Sequence, residues 1–197
     1  MNIEIKKLTP DLVDDYVRFF DETPHDDNKD EHKCYCVCWC SADHRIETDF
    51  SSAEKRRNLA IQYVRSGIIQ GYLAYVGGRA VGWCNANTKS DCLNCISWLR
   101  FMQPVNAAVT DKNIKVKSVF CFVIAPEMRR KGVARLLLDR VCEDAAKDGF
   151  DVVEAYPNKE FAAAARDFMG PRKLFEDNGF AVCCEVENKI IMRKQLK

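Results

Sequence analysis

The sequence lacks the features that mark membrane-spanning and nucleic-acid-binding proteins. No apolar run approaches the roughly 20 residues that a membrane-spanning helix needs. The formal net charge is only +1, so the chain has no overall field that would draw it to a membrane surface or to nucleic acid. Residues 1–7 alternate apolar and charged side chains and do not form the basic-then-apolar pattern of a secretory signal, so we expect a cytoplasmic protein.

Internal repeats and Pro/Ser-rich linkers are also absent. A chain of 197 residues, with 47% apolar and 30% charged residues, is typical of one globular domain. We therefore expect residues 1–197 to form a single domain. The composition leaves the oligomeric state open, and a homodimer is one option.

Cysteine, by contrast, is abundant, with 11 residues. Because no secretion signal is present, these residues are most simply interpreted as reduced thiols. Their odd number also argues against a complete set of disulfides. The densest group alternates with other residues and consists of Cys34, Cys36, Cys38 and Cys40.

The alternation of these four cysteines bears on metal binding. In a strand they would share one face, with neighbours about 6.6 Å apart. One tetrahedral zinc ion could not reach all four, because zinc–sulfur bonds are about 2.3 Å long. A curled loop could use three or four of them, with His32 or His44 added. We favour a partly buried group of thiols and predict no bound metal, with Tyr35 and Trp39 shaping a pocket.

Apolar periodicity and turn residues predict a mixed α/β order of elements. The predicted elements are a strand near 3–5, a helix opening at Thr9-Pro10, a helix that opens at a capping box of residues 51–54 and ends at 66–67, a hairpin of 72–76 and 80–84, a strand at 116–124, a helix at 132–147, a strand at 151–156, a short helix within 169–178 and a closing hairpin of 181–186 and 189–193. Periodicity alone indicates an α/β or α+β domain with a mixed sheet.

The most informative segment is the turn between the strand at 116–124 and the helix that follows it. This turn contains Arg129-Arg130-Lys131-Gly132. The first turn of a helix leaves backbone N–H groups without partners, and the helix dipole adds partial positive charge there. Gly132 lets the backbone approach a ligand without a Cβ in the way. The segment therefore predicts a phosphate or pyrophosphate site.

This turn reads R-x-x-G-x-A and follows a strand ending in Val123-Ile124-Ala125-Pro126. It resembles the acetyl-CoA signature, Q/R-x-x-G-x-G/A, of the GNAT superfamily, the Gcn5-related N-acetyltransferases. The segment Leu174–Phe180 is similar to the helix and Gly-Phe pair that precede the last strands of that family. The resemblance extends over residues 116–194. It implies the GNAT acyl-CoA N-acyltransferase fold, about seven strands flanked by four helices, with acetyl-CoA as cosubstrate.

The resemblance also implies the cofactor-binding residues. Backbone N–H groups of residues 129–134 would bind the pyrophosphate, and the three cationic side chains would reach phosphates. The end of the preceding strand would pair with the pantetheine arm, and Asn158 resembles a family asparagine that contacts the cofactor. The predicted set is Phe122, Val123, Ile124, Arg129, Arg130, Lys131, Gly132, Val133, Ala134 and Asn158.

The implied reaction is direct transfer of acetyl from the thioester to a primary amine within a ternary complex. A base that accepts the amine proton assists such an attack. Ser118 stands near the usual carboxylate position of the family, and Phe175 stands at the usual tyrosine position. Glu154 and Tyr156 lie two residues apart on the next predicted strand and share a face. We predict that Glu154 is the base and Tyr156 the proton donor; the alternative is an ordinary strand face.

Other features remain open at the level of sequence. In the GNAT fold the region between the first two helices often lines the acceptor site, so Tyr35, Trp39 and the nearby cysteines are expected to form a substrate-pocket wall. The acceptor is a small-molecule or peptide amine of unknown identity. A route through a cysteine is open beside direct attack. The alternative function is a non-catalytic acyl-CoA-binding or thiol- or metal-sensing module on the same fold.

Overall fold

The computed structural model describes residues 1–108, 113–160 and 167–197, without the side chains of residues 107 and 108. These residues form one seven-stranded sheet and six α-helices. The strands are β1 (Glu4–Lys7), β2 (Gly71–Val76), β3 (Arg79–Thr88), β4 (Val116–Ile124), β5 (Val152–Ala155), β6 (Ala181–Val186) and β7 (Lys189–Gln195). The helices are α1 (Val13–Glu22), α2 (Ala53–Arg65), α3 (Ile96–Phe101), α4 (Gln103–Ala108), α5 (Val133–Lys147) and α6 (Arg172–Glu176).

The sheet is mixed, as predicted. Its strand order is β1-β2-β3-β4-β5-β7-β6. Strands β4 and β5 pair in parallel, and all other neighbouring pairs are antiparallel. Parallel neighbours need a crossover connection, and α5 supplies it. No helix of the described residues is both long and apolar enough to cross a bilayer.

The decisive feature of the sheet is that β4 and β5 separate. Strand β4 pairs with β3 over most of its length but pairs with β5 only through Val116–Val119. A bulge lies at the same point, because Cys121 is opposite Asn85 while Val119 is opposite Ala86, which leaves Phe120 as the extra residue. The end of β4 therefore diverges from β5, and a cleft opens between them.

The two faces of the sheet carry separate cores. On one face, α1 and α2 cover an aromatic cluster that includes Tyr16, Trp83, Trp98 and Phe120. On the other face, the apolar side of α5 packs against β3, β4 and β5. At Gly82 of β3, a Cβ would lie 2.8 Å from Val133 Cγ1, so glycine is required for α5 to approach the sheet this closely.

Most predicted elements are confirmed, and the differences have local causes. The capping box predicted at residues 51–54 lies one residue too early, because Ser52, and not Ser51, caps α2 by accepting a hydrogen bond from the Lys55 N–H at 3.2 Å. Thr9 makes no side-chain cap bond, and Pro10–Leu12 forms a 3-10 turn ahead of α1. Two further short helices, α3 and α4, lie in a region whose short apolar segments gave no clear period in the sequence. The segment 34–40 is a series of turns and not a strand.

Candidate active site

A cleft of about 620 Å³ opens beside the diverging end of β4. Most of its lining comes from four segments: residues 20–39, 121–124, 129–134 and 167–174. The lining therefore includes the predicted cofactor strand, the predicted phosphate turn and the cysteine-rich segment. The fold brings these three together although they are far apart in the sequence.

The turn at the mouth of the cleft is built for an anion. Gly132 is the N-cap of α5 and has φ of 81°, and Arg130 has φ of 61°. The first helical hydrogen bond of this turn runs from the Leu136 N–H to the Gly132 carbonyl at 3.1 Å, so the N–H groups before it have no partner within the helix. A Cβ at Gly132 would meet nothing within 4 Å, so backbone conformation requires the glycine and the space in front of it is open. This turn fits a pyrophosphate.

The side chains of the turn divide into two groups. Arg130 and Lys131 are exposed, and Arg130 lines the cleft. Arg129 is held in place, because its Nη2 lies 2.6 Å from Asp26 Oδ1 and its Nε donates to the Ile124 carbonyl at 3.2 Å. The Val133 side chain is buried against the sheet, so this residue offers a ligand only its backbone.

The edge of β4 that should face the pantetheine arm is partly paired within the protein. The Phe122 N–H donates to the Phe168 carbonyl at 2.7 Å. Gly170, two residues after Phe168 and with φ of 90°, lies against the Phe122 ring. Val123 and Ile124, which belong to the predicted cofactor-binding set, also line the cleft. An arm that paired with Phe122 would have to replace its bond to Phe168.

Asn158 lies behind this segment. Its Nδ2 donates to Asp167 Oδ1 at 2.6 Å, and Lys189 Nζ donates to its Oδ1 at 2.6 Å. The side chain therefore links β7 to the segment that reaches Phe122. Asn158 is not among the described residues that line the cleft, and its contact with a cofactor stays a prediction.

Glu154 and Tyr156 share a face of the sheet, but that face belongs to the buried core. Both side chains are fully buried. Lys89 Nζ lies 2.6 Å from Glu154 Oε1, and Arg193 Nε lies 2.7 Å from Oε2. The Tyr156 hydroxyl donates to Glu154 Oε1 at 2.7 Å and lies 2.6 Å from Ser118 Oγ. This network joins the turn that follows β3 to β4, β5 and β7.

The surroundings of Tyr156 oppose its ionisation. Burial raises the pKa of this phenol well above its usual value, and the Glu154 carboxylate raises it further. Its ring stacks on Phe120 with centroids 6.0 Å apart. Neither Glu154 nor Tyr156 is among the described residues that line the cleft, so the geometry shows a structural role for them and their catalytic roles stay predictions. Phe175 is also fully buried and packs against Phe180 and Phe122.

The two aromatic residues predicted for the pocket wall behave differently. Trp39 lines the cleft and stacks on Phe120 with centroids 5.0 Å apart. The Tyr35 hydroxyl donates to Asp21 Oδ1 at 2.8 Å, and its carbonyl accepts from the Tyr16 hydroxyl at 2.8 Å. Tyr35 is outside the described lining of the cleft and instead fixes the backbone beside Cys36.

The cysteine-rich segment supplies three thiols to the cleft, and β4 supplies a fourth. They are Cys34, Cys36, Cys38 and Cys121. In the part of the chain that the structure describes, no group of three ligating side chains suited to a metal includes one of these sulfur atoms. The prediction made from the spacing of the cysteines, that this segment binds no metal, stays a prediction.

Sequence reasoning missed a polar group of three side chains, one of which lines the cleft. His25 Nδ1 is 2.6 Å from Asp27 Oδ1, and His32 Nδ1 is 2.5 Å from Asp27 Oδ2. The hydrogen bond from His32, followed by that from His25, lowers the pKa of Asp27 although burial opposes it. The hydrogen bonds from the two histidines to Asp27 hold these three side chains together. His25 also lines the cleft.

The family is decided by a match over most of the sequence. The sequence model of the acetyltransferase (GNAT) family matches residues 7–180. The chain belongs to the GNAT acetyltransferase family. No curated protein matches this GNAT family member in sequence.

Solved GNAT structures share its fold at low identity. An agmatine N-acetyltransferase variant in its apo form has a TM-score of 0.60 at 13% identity, over 99% of this chain and 100% of that one. The PaiA N-acetyltransferase of Thermoplasma acidophilum, solved with coenzyme A, has a TM-score of 0.55 at 14% identity over 99% of each chain. The protein yncA of Salmonella typhimurium, solved with its cofactor acetyl-CoA, has a TM-score of 0.50 at 15% identity, over 99% of this chain and 94% of that one.

Several residues of this GNAT protein that line the cleft, or that bond to residues lining it, carry no sequence signal that would have marked them. Asp26 belongs to an acidic run, and its contact with Arg129 spans 103 positions. Asn85 is fully buried on β3 and donates to Trp39 O, a contact over 46 positions. Cys121 stands in an apolar strand, where a thiol is an ordinary core residue. Only the assembled sheet brings these residues to the cleft.

Proposed function

We propose that the protein is an acetyl-CoA-dependent N-acetyltransferase that acetylates a primary amine. The observation that carries this proposal is the junction of two features. The glycine-capped N-terminus of α5 opens onto the cleft, and that cleft lies beside the part of β4 that no longer pairs with β5. A diphosphate bound at the turn would direct a long thioester arm along residues 121–124 into that cleft.

The chain offers groups suited to the pyrophosphate and to the pantetheine arm of acetyl-CoA. Backbone N–H groups of residues 130–134 would hold the pyrophosphate, with Arg130 and Lys131 free to approach its phosphates from outside. The backbone of Val123 and Ile124 would lie beside the pantetheine arm, since an extended ligand can pair with a strand edge. When bound, acetyl-CoA supplies the activated acetyl group.

The cleft also suggests the character of the acceptor. Apolar side chains cover much of it, including Phe20, Trp39, Phe101 and Phe168. Asp26 and His25 stand at its mouth. We infer an amine with an apolar body, either a small molecule or the end of a peptide. The amine named for one structural neighbour, agmatine, makes polyamine-like compounds a sensible part of a first panel.

Two routes lead to the same products. The amine can attack the thioester directly within a ternary complex, as the family resemblance implies, or the acetyl group can pass through a protein thiol. Neither route changes the net reaction, so the proposed function does not depend on the choice between them. The alternative function, an acyl-CoA-binding module without turnover, is favoured by the bond between Phe122 and Phe168, which occupies part of the predicted cofactor edge.

Binding and turnover separate the two functions. Calorimetry with acetyl-CoA measures binding, and release of free CoA across a panel of amines measures transfer. We expect saturable binding and CoA release that requires both acetyl-CoA and an amine. Binding without release on any amine would favour the module, and no binding at all would contradict both.

A further inference from the structure

The most unusual group in the cleft is the Cys36 thiol. Its residue is 1% exposed, yet it forms part of the cleft wall beside Cys121 on β4. Cys121 is the first β4 residue beyond the bulge, at the point where the strand leaves β5. A thioester that follows β4 into the cleft would bring its carbonyl carbon to this region.

Hydrogen-bond donors surround the Cys36 sulfur. The Asn85 side-chain amide donates to it at 3.2 Å and also donates to the Trp39 carbonyl at 2.6 Å, which fixes the amide orientation. The indole N–H of Trp83 is buried and makes no hydrogen bond of standard geometry with the described residues. It is close enough to Cys36 to favour the thiolate and so lowers the pKa of Cys36. Donors of this kind stabilise a thiolate in a buried site.

The neighbouring thiol completes this environment. The Cys121 thiol has the largest influence on the pKa of Cys36 and lowers it, while burial acts in the opposite direction. Cys36 in turn raises the pKa of Cys121 well above the usual value. Burial raises the pKa of Cys34 to about 12 and that of Cys38 to about 11. Among these four cleft thiols, Cys36 is therefore the one that is set up to lose its proton.

The backbone around Cys36 is held in an unfavourable conformation. Tyr35 and Cys36 have φ of 45° and 53°, in the left-handed region that residues with a Cβ rarely adopt. The bond from Tyr16 to the Tyr35 carbonyl and the bond from Tyr35 to Asp21 fix this arrangement. Two strained residues in succession, tethered from both sides, are typical of functional sites.

We propose that Cys36 is a catalytic residue that accepts the acetyl group from acetyl-CoA before the amine receives it. This inference rests on the proposed function. The Cys36 thiol gives its proton to water, and the resulting thiolate attacks the thioester carbonyl carbon. The bond to the CoA sulfur breaks, and the CoA thiolate takes a proton from water. The amine then attacks the acetyl-Cys36 carbonyl, the bond to Cys36 breaks, and the nitrogen releases a proton to water. One thioester replaces another in the first step, so no oxidant or reductant is needed.

The first test uses acetyl-CoA without an amine. We expect intact-mass measurement after an acid quench to show one added acetyl group, peptide mapping to place it on Cys36, and added CoA to remove it. Cys36→Ala should not acquire it. The matched control Cys142→Ala, which removes a buried thiol of α5 whose pKa burial raises to about 11, should acquire it as the wild type does.

The second test measures exchange of labelled CoA into acetyl-CoA in the absence of an amine. A covalent step predicts exchange in the wild type and in Cys142→Ala, and its loss in Cys36→Ala. Calorimetry on Cys36→Ala guards against misfolding, since acetyl-CoA should still bind. Amine acetylation without exchange and without acetyl on Cys36 would overturn the covalent step and leave the proposed function standing. An acetyl group on a different cysteine would overturn the assignment to Cys36, and a failure of the wild type to bind acetyl-CoA would overturn both proposals.

Discussion

At the scale of single residues, the conformation of the phosphate turn depends on Gly132. Its φ of 81° lies in the left-handed region, which costs a residue with a Cβ about 1–2 kcal/mol. Nothing occupies the space where a side chain would project. A substitution there therefore has two separable effects, one on the backbone and one on whatever enters that space.

Two substitutions at Gly132 distinguish these effects. Gly132→Glu adds both the backbone strain and a carboxylate at the proposed pyrophosphate position, and we expect it to abolish detectable acetyl-CoA binding. Gly132→Ala adds the strain alone, and we expect it to lower the affinity by no more than about tenfold, which corresponds to about 1.4 kcal/mol. Calorimetry with acetyl-CoA checks both variants. Equal affinity for the two would mean that the turn does not bind the phosphates.

At the scale of elements, the buried network around Glu154 joins the strands that flank the divergence. Its carboxylate meets Lys89 after β3 and Arg193 on β7, and all three side chains are nearly or fully buried. Removing one member of a buried ion pair leaves an uncompensated charge, which typically costs about 3–5 kcal/mol. The network therefore stabilises the part of the sheet from which β4 departs.

We expect Glu154→Gln to lower the free energy of unfolding by about 3 kcal/mol, because the charged carboxylate that lies between the largely buried Lys89 and Arg193 side chains is lost. The matched control is Glu176→Gln, which breaks an exposed pair with Arg172 and should cost less than about 1 kcal/mol. Denaturant unfolding measures both.

The same variant also tests the catalytic role predicted for Glu154. Loss of a general base would lower turnover of the folded fraction by about 10²–10⁴-fold while acetyl-CoA binding persists. A solely structural role leaves that turnover within a few-fold of the wild type. The burial of the carboxylate favours the second result.

The elements also show which parts of the fold could be predicted from the sequence and which could not. The β2–β3 hairpin, α2, α5 and the closing hairpin follow from local patterns of apolar and turn residues, so they could be predicted. The turn around Gly132 could be predicted because its chemistry lies within a few consecutive residues. The bulge at Phe120 and the Cys36 environment could not, because they depend on contacts between β3, β4 and the 34–40 segment. Strand facing alone could not show that Glu154 faces the core.

At the scale of the whole molecule, the many buried thiols link stability to pH. Burial raises the pKa of Cys142 to about 11 and that of Cys34 to about 12, and it raises those of Cys40, Cys84 and Cys92 as well. The pKa of an unfolded cysteine is about 8.5. A group whose pKa is higher in the folded state contributes stability that is present below the unfolded pKa and is lost as the pH rises above it.

We therefore expect the free energy of unfolding, measured under reducing conditions, to fall steadily from pH 8 to pH 10. Three buried or half-buried groups act in the opposite direction, because their pKa values are lowered in the folded state: Lys117, whose pKa burial lowers to about 8, Lys189 and Cys36. The five thiols named above outnumber them. Denaturant titrations at several pH values measure the slope. A slope of zero or a rise over this range would contradict the burial of the thiols. Cys142→Ala should reduce the slope slightly without changing its sign.

The central claim is that the glycine-capped turn and the cleft together transfer acetyl from acetyl-CoA to an amine. The most direct measurement follows free CoA and acetylated product across the amine panel, with wild type, Gly132→Ala and Gly132→Glu side by side. We predict equal amounts of CoA and acetylated amine with the wild type, a reduced but measurable rate with Gly132→Ala, and none with Gly132→Glu. Acetyl-CoA binding without product on any amine, or undiminished product with Gly132→Glu, would contradict the account.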